Sequence, residues 1–590
     1  MNAASTPART DSQNPLDLVV VGAGFAGLYM LYRARAAGLA VCAIERGNDV
    51  GGVWYWNRYP GARCDVESLQ YSYSFSDELQ QEWNWTERYA TQPEILDYAC
   101  HVADRFDLRS DIRFGRRVTS ARFDDALTLW EVRTDAGDTL WARYCVMATG
   151  CLSATRLPDV EGLASFRGRT FHTGSWPHEP VDFTGERVAV VGTGSSGIQC
   201  IPKIAEQAAQ VHVLQRTPNF SIPARNTPMD AAYQRDWKAN YAEHRRRARE
   251  ETTSGTLYER SARKGHEAPP EDQRSEYERR WATGGVNFMH SFNDLMLDER
   301  SNASAADFVR EKICETVRDP AVAERLCPKD HPIGSKRICV DIDYHATYNR
   351  ENVELVDLRA TPIERVSETG VQLGGRHIEV DSIVFATGYD AMTGALLAMD
   401  ISGRGGLPLA QKWADGPKTY LGLMTAGFPN LFTITGPGSP SVLSSMIFAI
   451  EQHVDWISDC LHAMRERGVD TIEATVDAEE AWVAHVNEVA DRTLFPRANS
   501  WYVGANIPGK ARVFMPYCGG VVPYRQKCDA VAANGYEGFA LGRRTARTDL
   551  PADRGAPASA AAAAAVSSAT PSATPPAPSQ PSAVPERASA

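Results

Sequence analysis

Two glycine-rich motifs of the form G-x-G-x-x-G could each hold the pyrophosphate of a dinucleotide. Their glycines are Gly22, Gly24 and Gly27 in the first motif, and Gly192, Gly194 and Gly197 in the second. In such a motif the first glycine makes a tight turn, the second lets the backbone approach the phosphates, and the third lets a helix pack on a strand. The N–H groups and positive dipole at the start of that helix attract the anion. The sequence therefore predicts that the chain binds two dinucleotides.

The charge that follows the next strand distinguishes the two predicted sites. After the first motif, the run Val41–Ile44 ends at Glu45, whose carboxylate has the spacing to accept ribose hydroxyls and would repel a 2′-phosphate. After the second, the run Val211–Leu214 leads to Arg216 and Thr217, and a guanidinium suits a 2′-phosphate. These residues favour FAD at the first site and NADPH at the second. The alternative is that both charges are only solvated strand ends.

The strands that must position these motifs are visible as short runs of β-branched residues. Leu18–Val21 and Val188–Val191 lead directly into the two glycine motifs. Two later runs, Tyr144–Met147 and Ile383–Phe385, end in Ala-Thr-Gly, where small residues would let the chain cross between domains close to a cofactor. We therefore expect an α/β fold with two Rossmann-like dinucleotide-binding domains and a helical insertion.

The domain boundaries follow from these crossings and from changes in composition along the chain. The expected segments are a flexible N-terminal arm at 1–15, a discontinuous FAD-binding domain at 16–150 and 388–543, an NADP-binding domain at 151–229 and 320–387, a charged helical insertion at 230–319, and a disordered Ala/Pro-rich tail at 544–590. A tail of that composition cannot bury a core of its own.

Composition argues against several other classes of protein. The 590-residue chain is 43% hydrophobic and 23% charged, as a globular protein is, and its net charge of −12 disfavours nucleic acid as the main partner. No apolar run reaches the ~18 residues of a membrane-spanning helix, and 1–15 is too polar for a signal peptide. The twelve cysteines include no C-x-x-C pair, which argues against a redox-active disulfide and a zinc ribbon, so we expect no metal. Cysteines that are scattered in this way fit a reducing compartment, so we expect a cytoplasmic protein. No obligate protein partner is expected.

Two longer motifs are more specific than the glycine motifs. Phe166, Gly168, His172, Trp176 and Pro177 stand at F-x-G-x-x-x-H-x-x-x-W-P spacing. The chain also contains G-x-W-x-x-x-x-Y-P-G-x-x-x-D, which begins at Gly52 and Trp54, continues with Tyr59, Pro60 and Gly61, and ends at Asp65. Together they resemble the fingerprints of the class B, type I Baeyer-Villiger flavin monooxygenases. The resemblance runs from about Asp17 to Leu541, and 83–89 and 436–440 are most similar to the phenylacetone monooxygenase branch.

The resemblance implies a reaction and a catalytic pair. In this family NADPH reduces FAD, the flavin takes up O₂ as a C4a-peroxyflavin, and a ketone becomes an ester or lactone, with sulfoxidation as a further activity. The segment that ends at Lys336 and Arg337 matches the family's G-x-K-R, and Asp65 matches the carboxylate that pairs with the arginine. The resemblance implies that the arginine stabilises the negative charge of the peroxyflavin anion. A guanidinium suits this role because it keeps its positive charge at any working pH. Without the resemblance, Lys336 and Arg337 indicate only a surface pair.

Further roles are carried over by similarity. The implied FAD contacts are Gly22, Gly24, Gly27, Glu45, Gly52, Trp54 and Asp65, and the implied NADP contacts are Thr193, Gly194, Ser195, Ser196, Gly197, Arg216, Thr217 and Lys336. The implied pocket residues are Ser441, Val442, Leu443, Met446 and Trp501. His172 and Trp176 would lie on the linker between the nucleotide domains and control their motion. From the residues alone, they indicate local packing.

Two alternative functions stay open. An N- or S-oxygenating flavin monooxygenase would share both nucleotide sites but has a linker motif without Trp-Pro. A non-catalytic redox sensor would bind the dinucleotides without turnover. The first reading expects a small-molecule ketone and O₂ as partners, so NADPH oxidation with and without a ketone separates the three functions.

Overall fold

Two β-sheets, each containing a strand that leads into one of the glycine motifs, organise the structure, a computed structural model that describes residues 10–543. Helices and strands are intermixed along the chain, which confirms the predicted α/β fold class. Residues 1–9 of the predicted arm and the predicted tail at 544–590 lie outside the described residues.

The strands of the described chain are β1 (Leu16–Val21), β2 (Val41–Ile44), β3 (Ile112–Arg113), β4 (Val118–Asp124), β5 (Leu129–Thr134), β6 (Thr139–Met147), β7 (Arg169–His172), β8 (Arg187–Val191), β9 (Gln210–Gln215), β10 (Ser221–Pro223), β11 (Cys339–Asp341), β12 (Val353–Asp357), β13 (Ile363–Ser367), β14 (Gly370–Leu373), β15 (Arg376–Glu379), β16 (Ser382–Phe385), β17 (Asp400–Ser402), β18 (Leu431–Thr433), β19 (Thr471–Ala474) and β20 (Phe539–Gly542).

The helices of the same region are α1 (Phe25–Ala36), α2 (Val53–Trp56), α3 (Asp77–Glu82), α4 (Gln92–Arg105), α5 (Ser195–Ala205), α6 (Ala231–Ala239), α7 (Tyr241–Glu251), α8 (Pro270–Thr283), α9 (Glu299–Thr316), α10 (Pro320–Leu326), α11 (Tyr344–Thr347), α12 (Gly394–Leu397), α13 (Leu409–Lys412), α14 (Met446–Arg467), α15 (Val476–Asp491) and α16 (Val521–Ala533).

The first glycine motif lies at the centre of the larger sheet. Within residues 10–543 this sheet has eight strands in the order β17-β4-β5-β6-β1-β2-β3, with β18 paired to β6. β1 runs parallel to both β2 and β6, and α1 connects β1 to β2. Leu18 and Val20 face one apolar core, while Val19 and Val21 face another. Burial on both faces explains why β1 is a continuous apolar run.

The second glycine motif belongs to a parallel sheet of five described strands, in the order β12-β9-β8-β16-β7. Here α5 connects β8 to β9, as α1 connects β1 to β2. All five strands lie between residues 169 and 385, whereas the strands of the first sheet lie before residue 148 or after residue 399. The chain therefore leaves the first sheet once and returns to it once.

The two Ala-Thr-Gly tripeptides lie directly against the two glycine motifs. A Cβ atom on Gly22 would come within 2.6 Å of the carbonyl oxygen of Ala148, and one on Gly192 within 2.6 Å of that of Ala386. Both glycines also have strongly positive φ, +108° and +107°. No residue with a side chain fits either turn without moving the backbone.

The charged segment at 230–319 packs against the cores of both sheets. It contains α6 to α9, as the sequence predicts. Trp237 and Tyr241 pack into the core of the first sheet, whereas Tyr277 and Phe308 pack into the core of the second. No helix within residues 10–543 is both long and apolar enough to cross a bilayer.

The motif that ends at Asp65 holds the first sheet against α5. At its start, Trp54 is buried and donates from Nε1 to the hydroxyl of Tyr71 at 3.1 Å. In its middle, the hydroxyl of Tyr59 donates to Oε1 of Gln199 on α5 at 2.8 Å. A Cβ on Gly61 would come within 2.4 Å of the carbonyl oxygen of Gln199. A glycine at this position therefore lets the motif contact the backbone of α5.

We expect Gly61→Ala to destabilise the protein more than the control Gly185→Ala. Both glycines have positive φ, +84° and +76°, so each alanine costs roughly 1–2 kcal/mol of backbone strain. A Cβ on Gly185 meets nothing within 4 Å, whereas one on Gly61 would push α5 away at a further cost of ~1–3 kcal/mol. Thermal and urea unfolding measure both variants, and equal losses of stability would contradict the close contact.

Candidate active site

The candidate catalytic pair, Asp65 and Arg337, brings two distant parts of the chain together. Nε and Nη2 of Arg337 donate to the same carboxylate oxygen of Asp65, at 2.9 and 2.6 Å. Its Nη1 donates to the carbonyl oxygen of Val442 at 2.7 Å. All three nitrogens are thus held, although 29% of the Arg337 side chain is exposed. The guanidinium is fixed in place and still accessible to a ligand.

The positive charge of Arg337 is secured by its surroundings. Burial disfavours a charged guanidinium, but Asp65, with a contribution from Tyr502, raises the pKa of Arg337 well above its ordinary value. Burial raises the pKa of Tyr502 to about 12, so its phenol stays protonated at neutral pH. The site therefore combines a permanent positive charge with a neutral hydroxyl.

An apolar wall lies beside this charge. Its buried members are Cys151, Ala391, Met392, Val442, Ala490, Tyr502, Phe514 and Met515, and Leu443, Met446 and Trp501 pack against them. Four of the residues expected in the pocket are therefore in this cluster. Ser441 is different, because it is fully buried and its hydroxyl donates to the carbonyl oxygen of Thr435 at 3.0 Å. The hydroxyl also lies 3.4 Å from Sγ of Cys151, a member of this wall, and the role of Ser441 in the pocket stays a prediction.

The loop that carries Trp501 is attached to the segment after the second Ala-Thr-Gly. Nδ2 of Asn506 donates to the carbonyl oxygen of Tyr389 at 2.7 Å. Nζ of Lys510 forms an ion pair with Oδ1 of Asp390 at 2.5 Å. These two contacts hold the loop beside the apolar wall, in which Tyr502 is buried while Trp501 is only partly buried.

Glu45 lies at the edge of the first glycine motif. Its two carboxylate oxygens accept hydrogen bonds from the backbone N–H groups of Ala23 at 2.8 Å and Gly47 at 2.7 Å. An ionised carboxylate has about four acceptor positions, so capacity remains for ribose hydroxyls. A Cβ on Gly24 would lie 3.3 Å from Cα of Gly52, so these two expected FAD contacts adjoin each other.

The hydroxyls of the second glycine motif are already in contact with neighbouring groups. The hydroxyl pairs are Thr193 Oγ1 to the carbonyl oxygen of Thr217 at 3.0 Å, Thr173 Oγ1 to Ser196 Oγ at 3.1 Å, and Ser195 Oγ to Cys339 Sγ at 3.4 Å. The second glycine, Gly194, has nothing within 4 Å of a Cβ placed on it. Open space therefore lies over the start of α5, where a pyrophosphate would bind.

Two cations lie near this motif. Burial lowers the pKa of Lys336, and the positive charge of Arg216 adds to that shift, which shows that the two side chains interact. Within residues 10–543 neither forms an ion pair with a carboxylate. An anionic ligand would supply the missing charge.

The linker motif, residues 166–177, contacts segments that follow strands of both sheets. Nδ1 of His172 accepts from the backbone N–H of Gly174 at 3.0 Å, and its Nε2 lies 3.4 Å from the hydroxyl of Thr387. The backbone N–H of Trp176 donates to the carbonyl oxygen of Trp56 at 3.1 Å. Burial lowers the pKa of His172, so its ring is neutral at pH 7. These contacts are structural and fit a control role better than proton transfer.

The rest of the linker motif is fixed by packing. Phe166 packs against the core of the second sheet. A Cβ on Gly168 would come within 2.4 Å of both the Phe166 ring and the carbonyl oxygen of Asp381. Pro177 is half-buried after Trp176.

Two residues that the sequence analysis missed also join the two sheets. Gln199 contacts Tyr59 from α5, and the hydroxyl of Tyr389 accepts from Nδ2 of Asn57 at 2.7 Å. Tyr389 directly follows the second Ala-Thr-Gly, and Asn57 lies inside the motif that ends at Asp65. Their positions next to recognised motifs were the available signal. Among the described residues, no cluster of His, Cys, Asp and Glu is arranged to hold a metal ion.

Comparison with known proteins gives consistent matches over most of the chain. A family model described as pyridine nucleotide-disulphide oxidoreductase matches residues 19–252. A Baeyer-Villiger monooxygenase of Pseudooceanicola batsensis is 43% identical over 524 residues, which are 88% of this chain and 95% of the relative. A solved oxidized steroid monooxygenase bound to NADP is 55% identical, with a TM-score of 0.86 over 90% of this chain and 100% of that one. OTEMO in complex with FAD and NADP is 41% identical, with a TM-score of 0.87 over 89% and 99%.

A buried histidine supports the loop behind the pocket. Nδ1 of His453, on α14, accepts from the backbone N–H of Thr435 at 3.0 Å, so the proton of the neutral ring is on Nε2. Nε2 then donates to the hydroxyl of Tyr524 at 2.8 Å, and that hydroxyl donates to the carbonyl oxygen of Leu421 at 2.5 Å. Burial lowers the pKa of His453 to about 4. The chain of hydrogen bonds requires the neutral form.

We expect His453 to make the folded protein less stable in mild acid. An unfolded histidine binds its proton near pH 6.5, while His453 in the folded protein resists it until about pH 4. Between these values the unfolded state binds more protons, so stability falls as pH falls, by ~1 kcal/mol per pH unit. Urea unfolding between about pH 7 and about pH 4.5 measures the slope. His453→Gln should flatten the slope, and the control His462→Gln, at an exposed position on the same helix, should not.

Proposed function

This chain belongs to the Baeyer-Villiger monooxygenases, and from that premise we propose that it converts an apolar ketone into an ester or lactone with NADPH and O₂. The observation that carries the proposal is the guanidinium of Arg337, held between Asp65 and the carbonyl oxygen of Val442 at the edge of an apolar wall. Oxygen insertion develops negative charge on oxygen, and a fixed cation stabilises it. Sulfoxidation of thioethers is a further activity of the same site.

FAD and NADP fit the two glycine-motif sites. Neither α1 nor α5 has a side-chain cap or an acidic residue in its first turn, so nothing within the described chain competes with a phosphate there. OTEMO, with both cofactors bound, has the same overall fold. When bound, FAD supplies the oxidising chemistry after it accepts hydride from NADPH. The residues assigned to FAD are Gly22, Gly24, Gly27, Glu45, Gly52 and Trp54, and those assigned to NADP are Thr193 to Gly197, Arg216, Thr217 and Lys336.

Arg337 and Asp65 have different tasks in this proposal. Arg337 supplies the positive charge that stabilises the developing oxyanion. Asp65 is a positioning residue, because it accepts from two nitrogens of the guanidinium and so fixes its orientation. Lysine cannot replace the arginine, since an ammonium group has no planar set of donors that could contact Asp65 and Val442 together.

The assignment of residue ranges to two cofactor-binding domains is part of the same proposal. Residues 16–150 and 388–543 form the FAD-binding domain, and residues 151–229 and 320–387 form the NADP-binding domain. The change of sheet after β6 and after β16 supports these boundaries. His172 and Trp176 lie at the first of these changes, where they contact Thr387 and Trp56, so they are placed to couple nicotinamide binding to movement of the domains.

The apolar wall supports a hydrophobic substrate. Met446, Leu443 and Trp501 present apolar side chains, and Trp501 is the partly exposed member of a loop whose neighbouring residue Tyr502 is buried in the wall. A change in the Trp501 side-chain rotamer would let the wall accept ketones of different size. The 55% identical solved structure is that of a steroid monooxygenase, so a bulky polycyclic ketone belongs among the candidate substrates.

We expect purified, FAD-loaded enzyme to form esters or lactones from ketones when NADPH and air are supplied. A panel of phenylacetone, cyclohexanone, a steroid ketone, a thioether and a tertiary amine covers the competing reactions. Gas or liquid chromatography with mass detection measures the products. Sulfoxide or N-oxide without any ester would support a heteroatom oxygenase, and no NADPH consumption with any compound would support a sensor.

We expect Arg337→Ala to abolish ester formation, by ~10²-fold or more, while NADPH still bleaches the flavin at a rate within a few-fold of the wild type. Arg337→Lys should recover little. The matched control is Arg88→Ala, because Nε and Nη2 of Arg88 likewise bind one oxygen of Glu67 and Nη1 binds the carbonyl oxygen of Thr283. Anaerobic reduction and product analysis separate the two half-reactions. Ester formation by Arg337→Ala at the wild-type rate would refute the role.

A further inference from the structure

A third cation, Arg359, stands at the site assigned to the 2′-phosphate. β12 lies beside β9 in parallel register, with Asp357 opposite Gln215 at the ends of the two strands. The backbone N–H of Leu358 donates to the carbonyl oxygen of Gln215 at 2.8 Å, which extends the pairing by one residue. Arg359 therefore emerges at the same edge of the sheet as Arg216, in the position where open parallel sheets bind their ligands.

The side chain of Arg359 is held in a defined place. Its Nη2 donates to the hydroxyl of Thr217 at 3.3 Å and forms an ion pair with one carboxylate oxygen of Asp330. The other oxygen of Asp330 lies 2.7 Å from Nδ1 of His331. The backbone N–H of Arg359 donates to Oδ1 of Asp357 at 2.9 Å, which shapes the turn. Half of the side chain is exposed, so its other donors are available to a ligand.

The charges around this point are not balanced within the protein. Arg216, Lys336 and Arg359 supply three positive charges, and Asp330 is the only carboxylate of residues 10–543 that forms an ion pair with any of them. Burial lowers the pKa of Lys336, Asp330 opposes the shift, and Arg216 and Arg359 add to it, so the four groups share one electrostatic environment. Two positive charges are left over, and a phosphate monoester carries about −1.5 to −2 at pH 7.

We propose that Arg359 is a specificity-determining residue that binds the 2′-phosphate of NADPH together with Arg216 and Lys336, and that Asp330 positions it. The inference rests on the proposed function, because it takes the second glycine motif to be the NADP site. A guanidinium has five donors, so Arg359 can keep its contacts to Asp330 and Thr217 while its remaining donors contact the phosphate. The preference for NADPH over NADH then depends on three cations.

Calorimetric titration of the FAD-loaded, oxidised enzyme with adenosine 2′,5′-bisphosphate and adenosine 5′-phosphate tests the proposal, since the two ligands differ by the 2′-phosphate alone. Arg359→Ala should weaken binding of the bisphosphate about tenfold and leave binding of the monophosphate within about twofold, as loss of one charged hydrogen-bond donor predicts. Arg359→Lys, which keeps the charge, should recover part of the loss. The ratio of kcat/KM for NADPH over NADH should fall with the bisphosphate affinity.

Two further variants make the result decisive. Arg376→Ala is the matched control, because Arg376 pairs with Glu354 at 2.6 Å at the opposite end of β12. Arg216→Ala reports on the assigned NADP site itself. Equal weakening of both ligands by Arg359→Ala would show a merely structural role and overturn the proposal. No effect of Arg359→Ala beside a clear effect of Arg216→Ala would overturn it and leave the proposed function intact. If neither variant discriminates between the ligands, the assignment of the 2′-phosphate site is itself wrong.

Discussion

The ion pair between Arg337 and Asp65 is the constraint on which the rest of the structure depends. The Arg337 side chain is more than two-thirds buried, and a buried guanidinium is costly unless a carboxylate compensates its charge. The carboxylate lies 272 residues earlier in the chain, in the motif that follows the first sheet, and Arg337 follows most of the second sheet. The two sheets must therefore stay together for the buried charge to keep its partner and its position. Other contacts between the two sheets help to keep Asp65 within hydrogen-bonding distance of Arg337.

Several of those contacts are polar or made through glycine. The motif that ends at Asp65 touches α5 through Gly61 and Tyr59, Trp56 accepts from the backbone of Trp176, and Asn57 donates to Tyr389. Polar contacts of this kind can be exchanged without exposing a large apolar surface, so domains joined by them can move relative to one another.

The sequence predicted the elements better than the contacts between them. β1, β8, β9 and β16 were predictable because buried parallel strands are continuous β-branched runs, and both glycine motifs because their turns admit no side chain. The meeting of Asp65 and Arg337 came from the family resemblance, since no local pattern links residues so far apart. Gln199 and Arg359 were missed for the same reason. Each is an ordinary polar residue whose partner is set only when α5 or β12 packs in place. The positive φ of Ser441 was not predictable either, because a serine rarely adopts it and no local pattern indicates it.

That positive φ belongs to a group of strained residues behind the pocket. Met392, Thr435 and Ser441 have φ of +68°, +54° and +42°, and all three are buried. Each such conformation costs of order 1–3 kcal/mol and persists only where surrounding contacts hold it. Here the hydroxyl of Ser441 donates to the carbonyl oxygen of Thr435, and His453 accepts from the backbone of Thr435.

The strain acts on Arg337 because Ser441 immediately precedes Val442, whose carbonyl oxygen accepts from the guanidinium. The direction of that carbonyl depends on the backbone angles of Ser441 and Val442. If Ser441 relaxed to negative φ, the carbonyl would turn away and Arg337 would keep only its contacts to Asp65. The strained loop therefore serves the same end as the ion pair. The ion pair fixes the guanidinium from the side of the first sheet, and the strained loop fixes it from the pocket wall. Substitutions that move the backbone of this wall would therefore also move the guanidinium.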